Sequence, residues 1–243
     1  MSAREKVNGF VRALLEPARE SPGSAAPQAT RRRIVCLVVL LIGALTLRWS
    51  LSIEAGDPLF YPGTAALALI WLLGARASGP VALGRSRTLT GQGTSNGVGQ
   101  ALAWGALLLA VFLAGAVVVS RIPVLAGPVQ DLLDHARQGS LPLVAVLTAV
   151  NGIGEECFFR GALFDAVRRR WGVVLTTVAY TIVTACSGIA LLALAAAMLG
   201  ALTGLQRRAT GGVLASVVTH LVWSLGMLFL LPGTLDLGAA LLG

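Results

Sequence analysis

Gly152-Ile153-Gly154-Glu155-Glu156-Cys157-Phe158-Phe159-Arg160-Gly161 sets two adjacent carboxylates and a guanidinium inside residues 141–167, a segment that otherwise reads as a membrane-spanning helix. Ionisable groups at that depth are costly unless they pair or face a wet cavity, so they mark a candidate functional site. The bland reading is that three charges near one helix end mark the end of the span.

The rest of the chain supports the membrane reading. Of 243 residues, 56% are hydrophobic and only 12% charged, with a mean hydropathy of +0.79, whereas about a quarter of a soluble domain's residues are charged. The pattern predicts an all-α, polytopic membrane bundle of about seven spans. The net charge of +8 does not point to nucleic acid, because the basic residues sit between apolar runs, where they act as topology signals. Cys36, Cys157 and Cys186 fall inside apolar segments and suggest neither a disulfide framework nor a Cys-rich metal site.

In order, residues 1–33 read as a basic cytoplasmic tail, mostly mobile, in which Phe10, Val11, Leu14 and Leu15 form at most one amphipathic turn. No cleavable signal peptide is expected. Three N-terminal spans are expected at 34–53, 59–75 and 98–120, within a unit covering 34–120. An interfacial helix or loop follows at 121–140. The spans 141–167, 173–186, 189–206 and 212–231 form a core over 141–232, and 233–243 is a short tail after Pro232-Gly233. Most of the 19 lysines and arginines then fall on one side. By the positive-inside rule this is a multi-pass inner (cell) membrane protein with a cytoplasmic N-terminus.

Depth brings the polar groups together. At a rise of ~1.5 Å per residue, Glu155 and Glu156 lie ~18–20 Å from Arg168, Arg160 lies ~12 Å from it, and His220 lies ~12 Å beyond Gly212. Tyr180 and Thr184 share that layer. Glu156 and Arg160 are i,i+4 neighbours and can pair. Glu155, rotated by about 100°, shares its face with Asn151 and Phe159 and has no sequence-local cation. The pair therefore divides into Glu156 holding Arg160 and Glu155 free for general acid–base work. A lone core histidine is more often structural than catalytic, but beside the glutamates at matching depth His220 is a candidate. Trp223 reads as packing.

Glu155-Glu156-Cys157-Phe158-Phe159-Arg160 resembles the EExxxR motif of the CPBP intramembrane proteases (the Abi or CAAX-protease family), and His220-Leu221-Val222-Trp223-Ser224 resembles their closing HxxxN/B motif. The resemblance implies an intramembrane endopeptidase acting on a membrane-associated protein or peptide from a cavity open to the cytoplasmic side. It makes Glu155 the general base, Glu156 and Arg160 its ion-paired support, and His220 an oxyanion donor, with Asn151, Tyr180, Thr184 and Ser224 supporting. Thr184 stands where the family's middle motif, FxxxH, has its histidine, and Ser224 replaces the final Asn. A catalytic zinc usually needs three protein ligands, so the expected chemistry is glutamate-based and without cofactor, with zinc the disfavoured alternative. Thr184 favours one alternative, a catalytically impaired membrane scaffold or immunity-type binding protein. The other alternative is a proton-coupled transporter relaying protons through Glu155 and His220.

Overall fold

The computed structural model describes residues 3–16, 26–88, 90, 93–167 and 169–241. Part of the tail (residues 17–25) and Arg168 therefore lie outside the described residues. Six helical stretches among them are long and apolar enough to cross a membrane: Ala29–Leu51, Phe60–Ser78, Val98–Val119, Leu141–Ala166, Ala190–Thr210 and Leu214–Ala240. The chain is a multi-pass helical membrane protein. Its helices are α1 (Ala3–Leu15), α2 (Ala26–Leu51), α3 (Phe60–Ser78), α4 (Val98–Val119), α5 (Pro123–Gln138), α6 (Leu141–Glu155), α7 (Phe164–Ala166), α8 (Gly172–Ala185), α9 (Ala190–Thr210) and α10 (Leu214–Leu241). A π-helical segment, Glu156–Leu163, joins α6 to α7 without a break.

The expected segment 173–186 is found almost unchanged but is short for a span, and the last helix departs from its expected end. The helix α8 has 14 residues, or ~21 Å at 1.5 Å per residue, which is short of the ~30 Å hydrocarbon core. The last helix does not stop at Pro232. It runs on to Leu241, because membrane helices tolerate an internal proline, and because Leu231 and Leu235 pack with Ala116 of α4 and Leu133 of α5.

The tail also differs. Ala3–Leu15 is a full helix, not a single turn. It lies against α9, with Ala13 and Leu14 buried and Phe10 stacked on Trp104 at a centroid distance of 4.5 Å. The first spanning helix begins at Ala26, so residues expected in the tail are helical. The arginines there have fixed work. Arg31 Nη2 donates to Ala77 O at 2.9 Å and Arg33 Nε to Ala166 O at 3.1 Å, satisfying carbonyls at the C-terminal ends of α3 and α7 that have no helical donor.

Close helix approach follows from small residues. A Cβ on Gly154 would meet Ala68 O of α3 at 3.2 Å, and one on Gly204 would meet Val173 of α8 at 3.2 Å. Between α3 and α4 the chain forms a small antiparallel pair, β1 (Ser86–Arg87) and β2 (Thr94–Ser95), with Ser86 opposite Ser95. The backbone just before it clips the α9–α10 turn: Val213 N donates to Ala82 O at 2.9 Å, Leu214 N to Leu83 O at 3.0 Å and Arg85 N to Thr210 O at 2.9 Å. The first two satisfy donors at the start of α10, and the third a carbonyl at the end of α9. Gly84, with φ +81°, allows the approach, since its Cβ would fall 2.5 Å from Gly212 N.

The core sits at mid-depth. Trp71 of α3 is buried against Phe158 and Phe159, with ring centroids 5.1 and 5.2 Å away. Leu199 and Ala196 of α9, Tyr180 of α8 and Cys36 of α2 complete the cluster. The aromatic layer fixes the segment that carries the charges.

Candidate active site

The glutamates and Arg160 lie at and within the π-helical segment. A π turn takes up an extra residue and is frequent at functional positions. Here it buries Glu156, Phe158, Phe159 and Arg160 completely. Arg160 Nη1 lies 3.1 Å from Glu156 Oε1, with neither side chain exposed. The guanidinium also lies over the Tyr180 ring, 4.8 Å from its centroid, an attraction that strengthens when both groups are dry. Gly200 of α9 makes the room: a Cβ there would stand 3.2 Å from Arg160 Nη2.

The structure brings His220 to the same carboxylate. Its Nδ1 is 2.9 Å from Glu156 Oε1. A carboxylate can only accept, so Nδ1 carries the proton and Nε2 is the nitrogen left for other work. That Nε2 lies 3.9 Å from Glu155 Oε2. Glu156 thus holds both Arg160 and His220, a second tie that helix periodicity alone does not reveal.

Glu155 faces the other way. Its side chain retains 18% of its exposure and lines a cavity of about 540 Å³. Tyr180 Oη donates to Glu155 Oε2 at 2.5 Å. Asn151, Thr184, His220 and Ser224 line the same cavity, whereas Glu156 and Arg160 stand behind its wall. Asn151 Nδ2 donates to Thr64 O and to Leu147 O, both at 3.1 Å. Ser224 Oγ is buried with no hydrogen-bond partner among the described residues. All eight sequence-selected positions therefore converge, six on the cavity and two beneath it. Among the described residues, Tyr180 makes the hydrogen bond that holds Glu155.

Other participating residues escape the sequence reading. Arg207, taken there as a topology signal, is 3% exposed. Its Nε donates to Arg160 O at 2.6 Å and its Nη2 pairs with Asp165 Oδ1 at 2.7 Å. Arg32 holds the other oxygen of Asp165 at 2.9 Å. The only hint in the sequence is an aspartate, Asp165, within an otherwise apolar span close to its basic end. Nearby, Gln206 Nε2 donates to Thr219 Oγ1 at 2.7 Å, Thr219 Oγ1 to Ala101 O at 2.9 Å, and Ser216 Oγ to Thr203 O at 2.9 Å. These bonds clasp α9, α10 and α4 at the arginine-rich end.

The cavity lies away from the clasp. None of the arginines at 31–33, 76 or 207–208 lines it. Its walls come from the opposite ends of the helices: Ser50 of α2, Thr64 of α3, Val119 of α4, Thr148 of α6, Leu192 of α9 and Leu231 of α10, with Leu132 and Leu133 of α5 across the end. The helices are pinched where their polar side chains bond and splay where they do not.

Among the described residues, no group of three or more His, Cys, Asp or Glu side chains is arranged to hold a metal ion.

Residues 137–226 match the family model described as Type II CAAX prenyl endopeptidase Rce1-like. The match spans Glu155, Glu156, Arg160, Tyr180, Thr184, His220 and Ser224. No curated protein and no solved structure matches the chain.

Proposed function

We propose, on the match of residues 137–226 to the Rce1-like CAAX endopeptidase family model, that the chain is an intramembrane endopeptidase that uses Glu155 to activate water against a peptide bond of a membrane-associated protein or peptide. The observation carrying this reading is the placement of Glu155 beside His220 Nε2, 3.9 Å apart, on one cavity, with Glu156 behind both. Glu155 takes a proton from water as the oxygen adds to the scissile carbonyl, and returns that proton to the leaving amine as the C–N bond breaks. His220, oriented by Glu156, meets the carbonyl oxygen through Nε2 when the ring is protonated.

Tyr180 supplies what Thr184 lacks. Its hydroxyl holds Glu155 in the resting site and turns to the developing oxyanion once the carboxylate has taken its proton. Ser224 Oγ, buried on the same wall, is a second donor. We keep zinc outside the proposal, because Glu156 Oε1 is already shared by Arg160 and His220. The functional core is 141–232, and the substrates to try first are membrane-anchored reporter peptides, C-terminally prenylated ones among them. Purified wild-type protein and Glu155→Gln are compared on these reporters. Cleavage by wild type alone is expected, and equal cleavage by both refutes the assignment.

A further inference from the structure

The π-helical segment returns to α geometry at α7, and the return leaves one carbonyl over. The Phe164 N–H donates to Phe159 O and to Gly161 O. It passes over Arg160 O, the acceptor that an ordinary α-turn would give it. By Val167 the α pattern is restored, with its N–H donating to Leu163 O at 3.2 Å. Arg160 O is therefore the carbonyl that the change of register skips, and it belongs to a residue with no exposed surface. Within a membrane bundle such an acceptor has to be met from elsewhere in the protein.

The partner is Arg207 of α9, whose Nε donates to Arg160 O at 2.6 Å. The rest of its guanidinium is anchored just beyond the π exit. Nη2 pairs with Asp165 Oδ1 at 2.7 Å, and the central carbon lies over the Phe164 ring, 5.2 Å from its centroid. Arg32 Nη1 holds the other oxygen of Asp165 at 2.9 Å, so the grip is tied to α2 as well. A carbonyl and a carboxylate side by side suit the rigid fork of a guanidinium, whereas an ammonium is a single point of charge.

Arg207 does not line the cavity, so it acts on the site through the helix and not through a substrate. Without its donor, the skip moves to another carbonyl, and the residues between the old and new exits turn by ~100°. Arg160 then leaves Glu156, and the carboxylate that orients His220 loses its cation. We propose that Arg207 is a positioning residue for the candidate active site: by filling the carbonyl skipped at the π exit, it fixes the register that places Glu155 relative to Glu156, Arg160 and His220. The kinetic consequence rests on the protease reading, but the register is measurable without any cleavage.

A disulfide reads the register. A Cβ on Gly161 stands 3.6 Å from Val81 Cβ, inside the ~3.5–4.5 Å that a disulfide spans. A turn of ~100° on a Cα radius of ~2.3 Å carries Gly161 away by ~3–4 Å. Full-length protein with Cys36→Ala, Cys157→Ala and Cys186→Ala carries Val81→Cys and Gly161→Cys and is oxidised in its membrane with copper phenanthroline. The thiols protected from a maleimide–polyethylene glycol reagent after denaturation are then counted. Adding Arg207→Met is expected to lower cross-linking by about tenfold or more, the equilibrium effect of one charge-assisted hydrogen bond. Arg207→Lys, which keeps a cation for Asp165 but not the fork, is expected to fall between Arg207→Met and the parent, and serves if Arg207→Met does not fold. Asp165→Asn loosens the same ion network but leaves the Nε bond, so it is expected to cross-link as the parent does.

With the native cysteines restored, Arg207→Met is expected to lower kcat on a cleavable reporter by about a hundredfold, the effect of misplacing a reacting group by ~1 Å, with KM unchanged. A merely structural role would lower the amount of folded protein and leave kcat per folded molecule alone. Cross-linking at the parent rate in Arg207→Met, or in Arg207→Lys where that variant stands in, overturns the proposal. An equal fall in Asp165→Asn, which would mark general loosening, overturns it too. Loss of the cross-link as expected, with no reporter cleaved by the parent protein, refutes the protease reading and leaves the register role standing.

Discussion

Replacing Arg160 by methionine tests whether the buried triad of Glu156, Arg160 and His220 behaves as one electrostatic unit. Both Glu156 and Arg160 are fully buried, so removing the cation leaves a carboxylate with no route to water. Breaking such a pair from one side costs about 3–5 kcal/mol. Two adjustments apply: the remaining bond from His220 Nδ1, at 2.9 Å, is of the charged kind worth about 1.5–3 kcal/mol, and the lost cation over the Tyr180 ring removes about 0.5–2 kcal/mol. These offset, leaving an expected loss of about 3–4 kcal/mol, or more than a hundredfold in the folding equilibrium at about 1.4 kcal/mol per tenfold.

Glu156→Gln strands the guanidinium instead and should cost a similar amount. The double variant strands neither charge, so it should recover about 3 kcal/mol relative to the sum of the singles. Denaturant titration in mixed micelles, read by protease resistance, measures all three. A loss below about 1 kcal/mol for Arg160→Met, the range of exposed ion pairs, would refute the reasoning, as would strict additivity.

Other perturbations separate packing from chemistry. Tyr180→Phe keeps the ring under Arg160 but removes the donor to Glu155, and the turnover number on a cleavable reporter should fall by ~10²–10³, the effect of losing one oxyanion donor, with stability nearly unchanged. Trp71→Ala empties the centre of the aromatic layer and should lower unfolding stability by about 3–5 kcal/mol, read by the same titration. Gly84→Ala forces a side chain into a φ of +81° against the Gly212 backbone, so the protein should unfold earlier by at least ~1–2 kcal/mol, and a wild-type midpoint contradicts the clip. Asp165→Asn weakens the link between Arg32 and Arg207 and should raise protease sensitivity at the basic end.

The parts of this molecule legible in the sequence are those governed by local periodicity. Apolar runs disclose the spans, and a rotation of about 100° between neighbours separates Glu155 from Glu156, which the structure sends to the cavity and the interior respectively. The i,i+4 spacing likewise anticipates the pairing of Arg160. What escaped depends on tertiary placement. Nothing local distinguishes Arg207 or Arg32, buried against Asp165, from the exposed arginines that accompany them. The carboxylate shared between Arg160 and His220 needs α10 to cross α6 at one height. The direction of the cavity is set by where α9 and α10 are clasped, and Thr203, Gln206, Ser216 and Thr219 read in sequence only as scattered polar residues. The N-terminal helix was underrated because its apolar face is short, and gains its partner only when Trp104 is brought beside Phe10.

The eight residues of π-helix make the length of this segment a functional quantity. A regular α-helix can be regained there by removing a single residue, and deleting Cys157 would give the chain a relaxed backbone ladder at no cost in hydrophobicity. Yet every side chain after the deletion would swing by roughly a quarter of a turn relative to those before it. Arg160 would leave the hollow at Gly200, and Glu156 would lose the guanidinium that shares it with His220. A shortened helix would thus be a better helix attached to a broken site, which sets insertions and deletions here apart from substitutions: the register of the charges depends on the count of residues as much as on their identity.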